Sequence, residues 1–308
     1  MRLLIMLLVG FGLLIKGADI FVEGSSSLAK KFKIPAMIIG LTIVAMGTSA
    51  PEAAVSITSS LIGQNELCVA NVVGSIIFNI LIVLGLSSII TKLPIQQNTI
   101  KKDAPFLIGI TITLLIMGIT GNMITVIEGL ILLILFIYFI WNSIRIAKNS
   151  NEECEDYKEQ SMIKTILFII LGLIGIVYGG TLVVDSSVEI ATNFGLSTNL
   201  VGLTVAAVGT SLPELVTSLT ATRKGETEIA IGNVIGSNIF NTIGILGIST
   251  VLNPVTVTMV SIIDITVLLF VTILLFSFMF KKELNKKHGM IFVLIYLLYM
   301  TYLIIPYI

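Results

Sequence analysis

The sequence predicts an all-α integral membrane protein of ten transmembrane helices, arranged as two inverted five-helix repeats. Three observations carry that expectation. The 308 residues are 56% hydrophobic and only 12% charged, with a mean hydropathy of +1.06. Polar clusters break the chain into ten apolar runs, and one segment is written twice. The first copy reads GLTIVAMGTSAPEAAVSIT from Gly40 and the second GLTVAAVGTSLPELVTSLT from Gly202. Glu52 aligns with Glu214, since 214 − 52 = 162, and the register holds without a gap from Gly40/Gly202 to Ser87/Ser249.

A chain this apolar is excluded as a water-soluble domain. A spanning helix needs about 20 mostly apolar residues, and the runs lie near 2–28, 36–61, 67–91, 103–119, 124–146, 162–190, 199–222, 227–251, 256–280 and 288–306. Stretches such as LLIMLLVGFGLLI and LILLILFIYFIW are apolar on every face. Barrel strands alternate instead, so the runs are helices. Arg2 ahead of the first run imitates a signal peptide, but no small-x-small site closes the run cleanly. It is expected as a retained, tilted helix in which Lys16 snorkels or pairs with Asp19 or Glu23. The polar connector KNSNEECEDYKEQ, acidic and aperiodic, reads as a solvated linker. It divides the chain into a first five-helix half at 1–147, a linker at 148–160 and a second half at 161–308.

Basic residues fix the orientation. Counting connectors in order, Lys30, Lys31 and Lys33 lie in the first, Lys92, Lys101 and Lys102 in the third, and Arg145, Lys148, Lys158 and Lys164 around the fifth. Arg223 and Lys224 lie in the seventh, and Lys281, Lys282, Lys286 and Lys287 in the ninth. Sixteen of the eighteen Lys and Arg therefore fall on one side, which places the odd connectors in the cytoplasm and both termini outside. The bias also switches ends between the copies. Lys30, Lys31 and Lys33 precede the first motif where Thr192, Asn193 and Gly195 are uncharged, while Arg223 and Lys224 follow the second where Leu61 and Ile62 stand. Two copies inserted in opposite directions give this pattern, and such folds place substrate at the repeat interface near the bilayer midplane.

The repeated motif reads as chemistry. Pro51 and Pro213 are expected mid-helix, where each lacks an N–H and clashes with the carbonyl four residues back, at Gly47 and Gly209. Freed carbonyls at membrane depth are tolerated only facing protein, water or an ion, so G-T-S-x-P-E is expected as a broken helix lining a cavity. Thr48, Ser49, Thr210 and Ser211 add hydroxyls, and Glu52 and Glu214 add two negative charges. A second repeated element, NVVGSIIFN from Asn71 and NVIGSNIFN from Asn233, sets Ser75 and Asn79, and likewise Ser237 and Asn241, on one helix face. All these donors are hard oxygens, the class that Ca2+ binds with six to eight ligands and that Na+ shares. Cys68 and Cys154 map to opposite faces and the single histidine is His288, so soft metals are poor candidates. Small residues alone would mean only helix packing. They do not explain a glutamate after a proline inside the bilayer, twice in register, at a cost of roughly 2.5–3.5 kcal/mol or more each unless paired. Asp19, Glu23, Asp185, Glu189, Glu128 and Asp264 lie towards span ends and read as interfacial anchors.

At these residues the chain resembles the cation/Ca2+ antiporter superfamily, nearest to its prokaryotic Na+/Ca2+ exchangers. The paired G-T-S-x-P-E and G-N-x-x-G-S-x-x-x-N segments look like that family's α-1 and α-2 repeats. The resemblance implies that Glu52 and Glu214 coordinate Ca2+ and Na+, joined by Ala45, Ala207, Thr48, Thr210, Ser49, Ser211, Ser75, Ser237, Asn79 and Asn241. Several exchangers carry Asp at the place of Asn241, including the K+-dependent members, so K+ dependence is not expected here. Ala70 stands where the second copy has Gly232, a difference expected to matter for packing only.

The expected function is secondary-active Na+/Ca2+ antiport by alternating access, with the first and sixth spans sliding across the bundle. H+/Ca2+ exchange is the alternative, and a cation channel ranks below both. Enzymatic chemistry is not expected, because one peripheral histidine supplies no Ser–His pair. The implied partners are inorganic cations and the bilayer of a prokaryotic plasma membrane, with no nucleic acid and no cofactor. Oligomeric state is open, a monomer being sufficient for such a site.

Overall fold

A computed structural model describes residues 2–149, 160–194 and 207–304 of the chain. The motif residues 202–206 and linker residues 150–159, Cys154 among them, lie outside this set, as does Gly195. In order, the elements of the first half are α1 (Arg2–Phe32), α2 (Ala36–Thr48), α3 (Ala50–Leu61), α4 (Asn65–Ile90), β1 (Leu93–Pro94), α5 (Thr99–Gly121), β2 (Met123–Ile124) and α6 (Val126–Asn149). Those of the second are α7 (Met162–Asn193), α8 (Ala207–Thr210), α9 (Leu212–Arg223), α10 (Thr227–Leu252), β3 (Val255–Thr256), α11 (Met259–Met279), β4 (Glu283–Leu284) and α12 (Lys286–Ile304).

The protein is an all-helical, multi-pass membrane protein apart from these four two-residue strands. Among the described residues seven helices are long and apolar enough to cross a bilayer, eight if the bent pair α2 and α3 counts as one crossing. Helical segments occupy the two remaining expected places, α8 with α9 and α12. Apolar side chains cover the outside, with Leu8, Ile127, Ile134, Ile163 and Leu298 each more than 60% exposed. The glutamates, serines and asparagines Glu52, Glu214, Ser49, Ser211, Asn79 and Asn241 are inside, as a bilayer solvent requires.

Symmetry is written in the strands. β1 and β3 are offset by 255 − 93 = 162, and β2 and β4 by 283 − 123 = 160, yet β1 pairs with β4 and β2 with β3, both antiparallel. Each strand bonds to the other half's version of its neighbour, and the two pairs sit at opposite ends of α5 and of α11. The turns repeat as well. Gly63 at φ +78° and Gly225 at φ +79° close α3 and α9, with Gln64 N–H to Ser59 O at 2.8 Å matched by Glu226 N–H to Ala221 O at 2.9 Å. A left-handed residue after the last turn favours glycine, and the paired carbonyls are the usual reward of such a stop.

Two helix pairs approach backbone to backbone. α1 packs along much of α7, where Gly17 lies against Gly172 and Gly175, and Gly179 against Gly10 and Leu14. On α10, a Cβ at Gly236 would come within 2.4 Å of Leu41 O, so α2 and α10 cross with no room for a side chain there. Around the second crossing lies the larger apolar core, centred on α4, α5, α10 and α11.

Candidate functional site

The site begins where a helix cannot continue. Ser49 adopts φ −81°, ψ 11°, and Ser211 φ −91°, ψ 6°, ending α2 and α8 and opening α3 and α9. The axis bends by 50° between α2 and α3. Pro51 and Pro213 therefore do not sit mid-helix, as the sequence suggests, but in the first turn of α3 and α9. There a missing N–H has no carbonyl to leave unserved, so the ring clash is relieved by breaking the helix one turn earlier. Glu52 and Glu214 fall in the same first turns, where the helix N-terminus favours a negative charge.

Both glutamates are fully buried, and each carboxylate is held by the other half's serine. Ser49 Oγ donates to Glu214 Oε1 at 2.7 Å, and Ser211 Oγ to Glu52 Oε1 at 3.0 Å. The carboxylates are near enough to act on one another electrostatically. Thr210 also approaches the Glu52 carboxylate, while Thr48 and Ser237 approach that of Glu214. None of the ion pairs among the described residues involves either acid. A hydrogen bond to a charged group contributes about 1.5–3 kcal/mol, so two adjacent buried carboxylates, when both are ionised, are left largely uncompensated without a cation.

The second motif reaches the same place through a feature the sequence does not announce. α4 and α10 each contain a π-helical stretch, Asn79–Leu84 and Phe240–Ile245, and these carry Asn79 and Asn241. Such wide turns are frequent at functional sites. The Asn79 stretch packs on α9, the helix of Glu214, and the Asn241 stretch packs on α3, the helix of Glu52. Asn79, Asn241, Ser75 and Ser237 are all buried. Five oxygens of these motif residues have no hydrogen-bond partner among the described residues: Glu52 Oε2, Glu214 Oε2, Asn79 Oδ1, Asn241 Oδ1 and Ser75 Oγ.

Two expected ligands stand differently. Ala45 O is not freed by the helix break, since it accepts from Ser49 N–H at 3.0 Å and from the Thr48 and Ser237 hydroxyls, both at 3.3 Å. A carbonyl has two lone pairs, and here three donors converge on them. Ala207 opens α8 at the edge of the described residues.

Sequence reasoning missed three amides. Asn71 Nδ2 donates to Glu52 O at 3.2 Å and to Ser56 Oγ at 2.9 Å. Its counterpart Asn233 Nδ2 donates to Glu214 O at 3.5 Å and to Ser218 Oγ at 2.9 Å, and its Oδ1 accepts from Thr48 Oγ1 at 3.0 Å. These amides brace each broken helix from α4 and α10, and their signal was an Asn repeated in register inside an apolar helix. Asn238 is the third, and nothing in register marks it. Of the expected interfacial anchors, Asp19 pairs with Lys16 at 2.7 Å and with Lys224 at 2.6 Å, and Glu128 caps Thr125 N–H at 2.7 Å. Asp264 accepts from Tyr299 at 3.1 Å. His288 lies in the first turn of α12, stacked on Phe278.

Buried carboxylate, hydroxyl and amide oxygens drawn from both halves are the donor class that hard cations take. The comparisons agree with that chemistry. The family model described as sodium/calcium exchanger protein matches residues 2–145 and 164–305. The putative antiporter CaxA of Alkalimonas amylolytica is 40% identical over 81% of this chain and 81% of its own length. The sodium/calcium exchanger MaX1 of Methanosarcina acetivorans is 29% identical over 97% of each. Among solved structures, the sodium-calcium exchanger NCX_Mj soaked with Na+ and Sr2+ superposes with a TM-score of 0.88 at 32% identity, over 97% of this chain and 98% of that one.

Proposed function

This chain belongs to the sodium/calcium exchanger protein family and is a Na+/Ca2+ antiporter, and we propose that it exchanges the two ions by alternating access at one site shared between inverted halves. The observation that carries the reading is the cluster of five unpartnered buried oxygens around Glu52 and Glu214, contributed by both copies of the motif.

The ligands are Glu52, Glu214, Asn79, Asn241 and Ser75 through those oxygens, with Thr48, Ser49, Thr210, Ser211 and Ser237 contributing hydroxyls, and the Ala45 and Ala207 carbonyls completing the set once the Thr48 and Ser237 hydroxyls turn from Ala45 O towards the ion. Two carboxylates neutralise one Ca2+ or two Na+, so the ions compete for the same oxygens. Moving an empty, doubly ionised pocket through a dehydrated intermediate costs several kcal/mol more than moving a loaded, nearly neutral one. Coupling follows, because only the loaded site crosses. α1 and α7, joined through facing glycines, slide as one body across the rest.

Ten crossings, five in each of residues 1–147 and 161–308, accommodate this scheme. The crossed pairing of β1 with β4 and β2 with β3 supports an inverted relation between the halves. Both termini then lie outside and the connector at 148–160 lies in the cytoplasm. The test is Ca2+ uptake into proteoliposomes with Na+, K+, Li+ and H+ gradients imposed one at a time. Uptake driven by Na+ alone supports the reading, and uptake driven only by a pH gradient replaces it with H+/Ca2+ exchange.

A further inference from the structure

The two halves of the pocket differ at one amide. Asn79 Nδ2 donates to Asn238 Oδ1 at 3.2 Å, across 159 positions, and Asn79 Oδ1 is left without a partner among the described residues. Asn238 is fully buried on α10, three residues before Asn241. Its backbone is itself engaged, the Asn238 carbonyl accepting from Thr242 Oγ1 at 2.7 Å. By the 162-residue register, the position equivalent to Asn238 is Ile76, since 238 − 162 = 76. The Ile76 side chain has no acceptor to offer, and among the described residues neither Oδ1 nor Nδ2 of Asn241 has a partner.

The ends of an amide are chemically opposite. The oxygen ligates a cation, whereas the NH2 group repels it, and the two differ only by a half-turn of the terminal torsion. An Asn that serves a cation site gains from a neighbour that accepts from its nitrogen, because the oxygen then faces the ion before the ion arrives.

We propose that Asn238 is a positioning residue for ion recognition: it accepts from the Asn79 nitrogen and so commits the Asn79 oxygen to the cations, while Asn241, lacking any such neighbour, remains free to rotate. The inference rests on the assignment of Asn79 and Asn241 as ligands. It makes the two ligands of a repeated pocket unequal, Asn79 a fixed oxygen and Asn241 an adaptable one that can turn between ions of different size. The Asn238 Nδ2 has no partner among the described residues, so its acceptor end is the one put to use.

The experiment is a double-substitution cycle read by Na+-driven Ca2+ uptake in proteoliposomes, with equilibrium Ca2+ binding to the purified protein as a readout that needs no turnover. Asn238→Ile removes the acceptor and copies the other half. It should raise the half-saturating Ca2+ concentration roughly fivefold, the scale of one net hydrogen bond, with a smaller change in maximal rate. In an Asn79→Asp background the same change should have almost no further effect, because a carboxylate has two equivalent oxygens and no orientation to fix. Asn238→Asp keeps an acceptor and should not raise the half-saturating concentration. An undiminished effect of Asn238→Ile in the Asn79→Asp background would overturn the proposal, as would wild-type Ca2+ affinity in Asn238→Ile. Wild-type protein that shows no Na+-driven uptake at all would instead overturn the antiport reading beneath it.

Discussion

Ser49 and Glu214 stand 165 positions apart, yet the serine hydroxyl donates to the glutamate carboxylate at 2.7 Å while the mirror pair, Ser211 and Glu52, meets at 3.0 Å. The serine that ends one half's helix therefore orients the other half's charge, and neither copy can build the pocket alone. Replacing either serine by alanine removes the hydroxyl that the other half donates to each carboxylate. Ser49→Ala and Ser211→Ala should each raise the half-saturating Ca2+ concentration by roughly tenfold, from the 1.5–3 kcal/mol of a hydrogen bond to a charged group. Transport titrations check this, and an effect confined to one of the two would contradict the shared pocket.

Asn71 and Asn233 brace the broken helices from outside the ion cluster. Asn71→Leu and Asn233→Leu leave a hydroxyl and a carbonyl without their donor in a buried setting, at about 1–3 kcal/mol. Both variants should lose thermal stability in detergent. Melting curves at equal protein concentration that match the wild type would remove the bracing role.

The crossing of α2 and α10 admits no side chain at Gly236. Gly236→Ala drives a Cβ into the Leu41 carbonyl, and overpacking of this kind costs typically 1–3 kcal/mol. Reduced yield of monodisperse protein is the expected result. Gly12→Ala, whose Cβ meets nothing within 4 Å, serves as the control and should behave as wild type.

On one side of the bundle, α1 is tied to the α9–α10 turn. Lys224 bonds Asp19 at 2.6 Å and lies 3.8 Å from Glu23, and Lys30 reaches Glu226 at 3.2 Å. These groups are partly exposed, so the ties contribute little to stability, about 0–1 kcal/mol each. If α1 slides with α7, they break in every cycle. Lys224→Met should leave the melting temperature nearly unchanged and alter the exchange rate; an unchanged rate would argue against movement of α1 past this turn.

The membrane class, the places of most helices and the candidate site residues were legible in composition, run length and a gapless repeat, because a bilayer enforces apolar surfaces and a buried acid has no bland explanation. Glu52 and Glu214 were found that way, and the structure brings each to the other half's serine, with the stretches that carry Asn79 and Asn241 packed on α9 and α3. The helix break was legible, but its position was not: a proline pattern signals a clash, and only packing decides which residue absorbs it, here Ser49 and Ser211 rather than the prolines. The π-helical stretches at Asn79 and Asn241 leave no mark in sequence, since they depend on what each turn meets across the interface. Asn238 was invisible for a related reason. Its counterpart is Ile76, so a search for repetition passes over it. The Ala45 carbonyl, implied as a ligand by the family resemblance, also accepts from Ser49 N–H, Thr48 and Ser237, and the last of these donors comes from another helix that sequence spacing does not reveal.

The pairing of the two acids is tested most directly by Na+-gradient-driven uptake of radiolabelled Ca2+ into proteoliposomes bearing wild type, Glu52→Gln or Glu214→Gln. Each substitution keeps the shape of the side chain and removes one of the two charges that neutralise Ca2+. Uptake in the wild type that is abolished in both variants is the predicted result, and near-normal flux in both would contradict it.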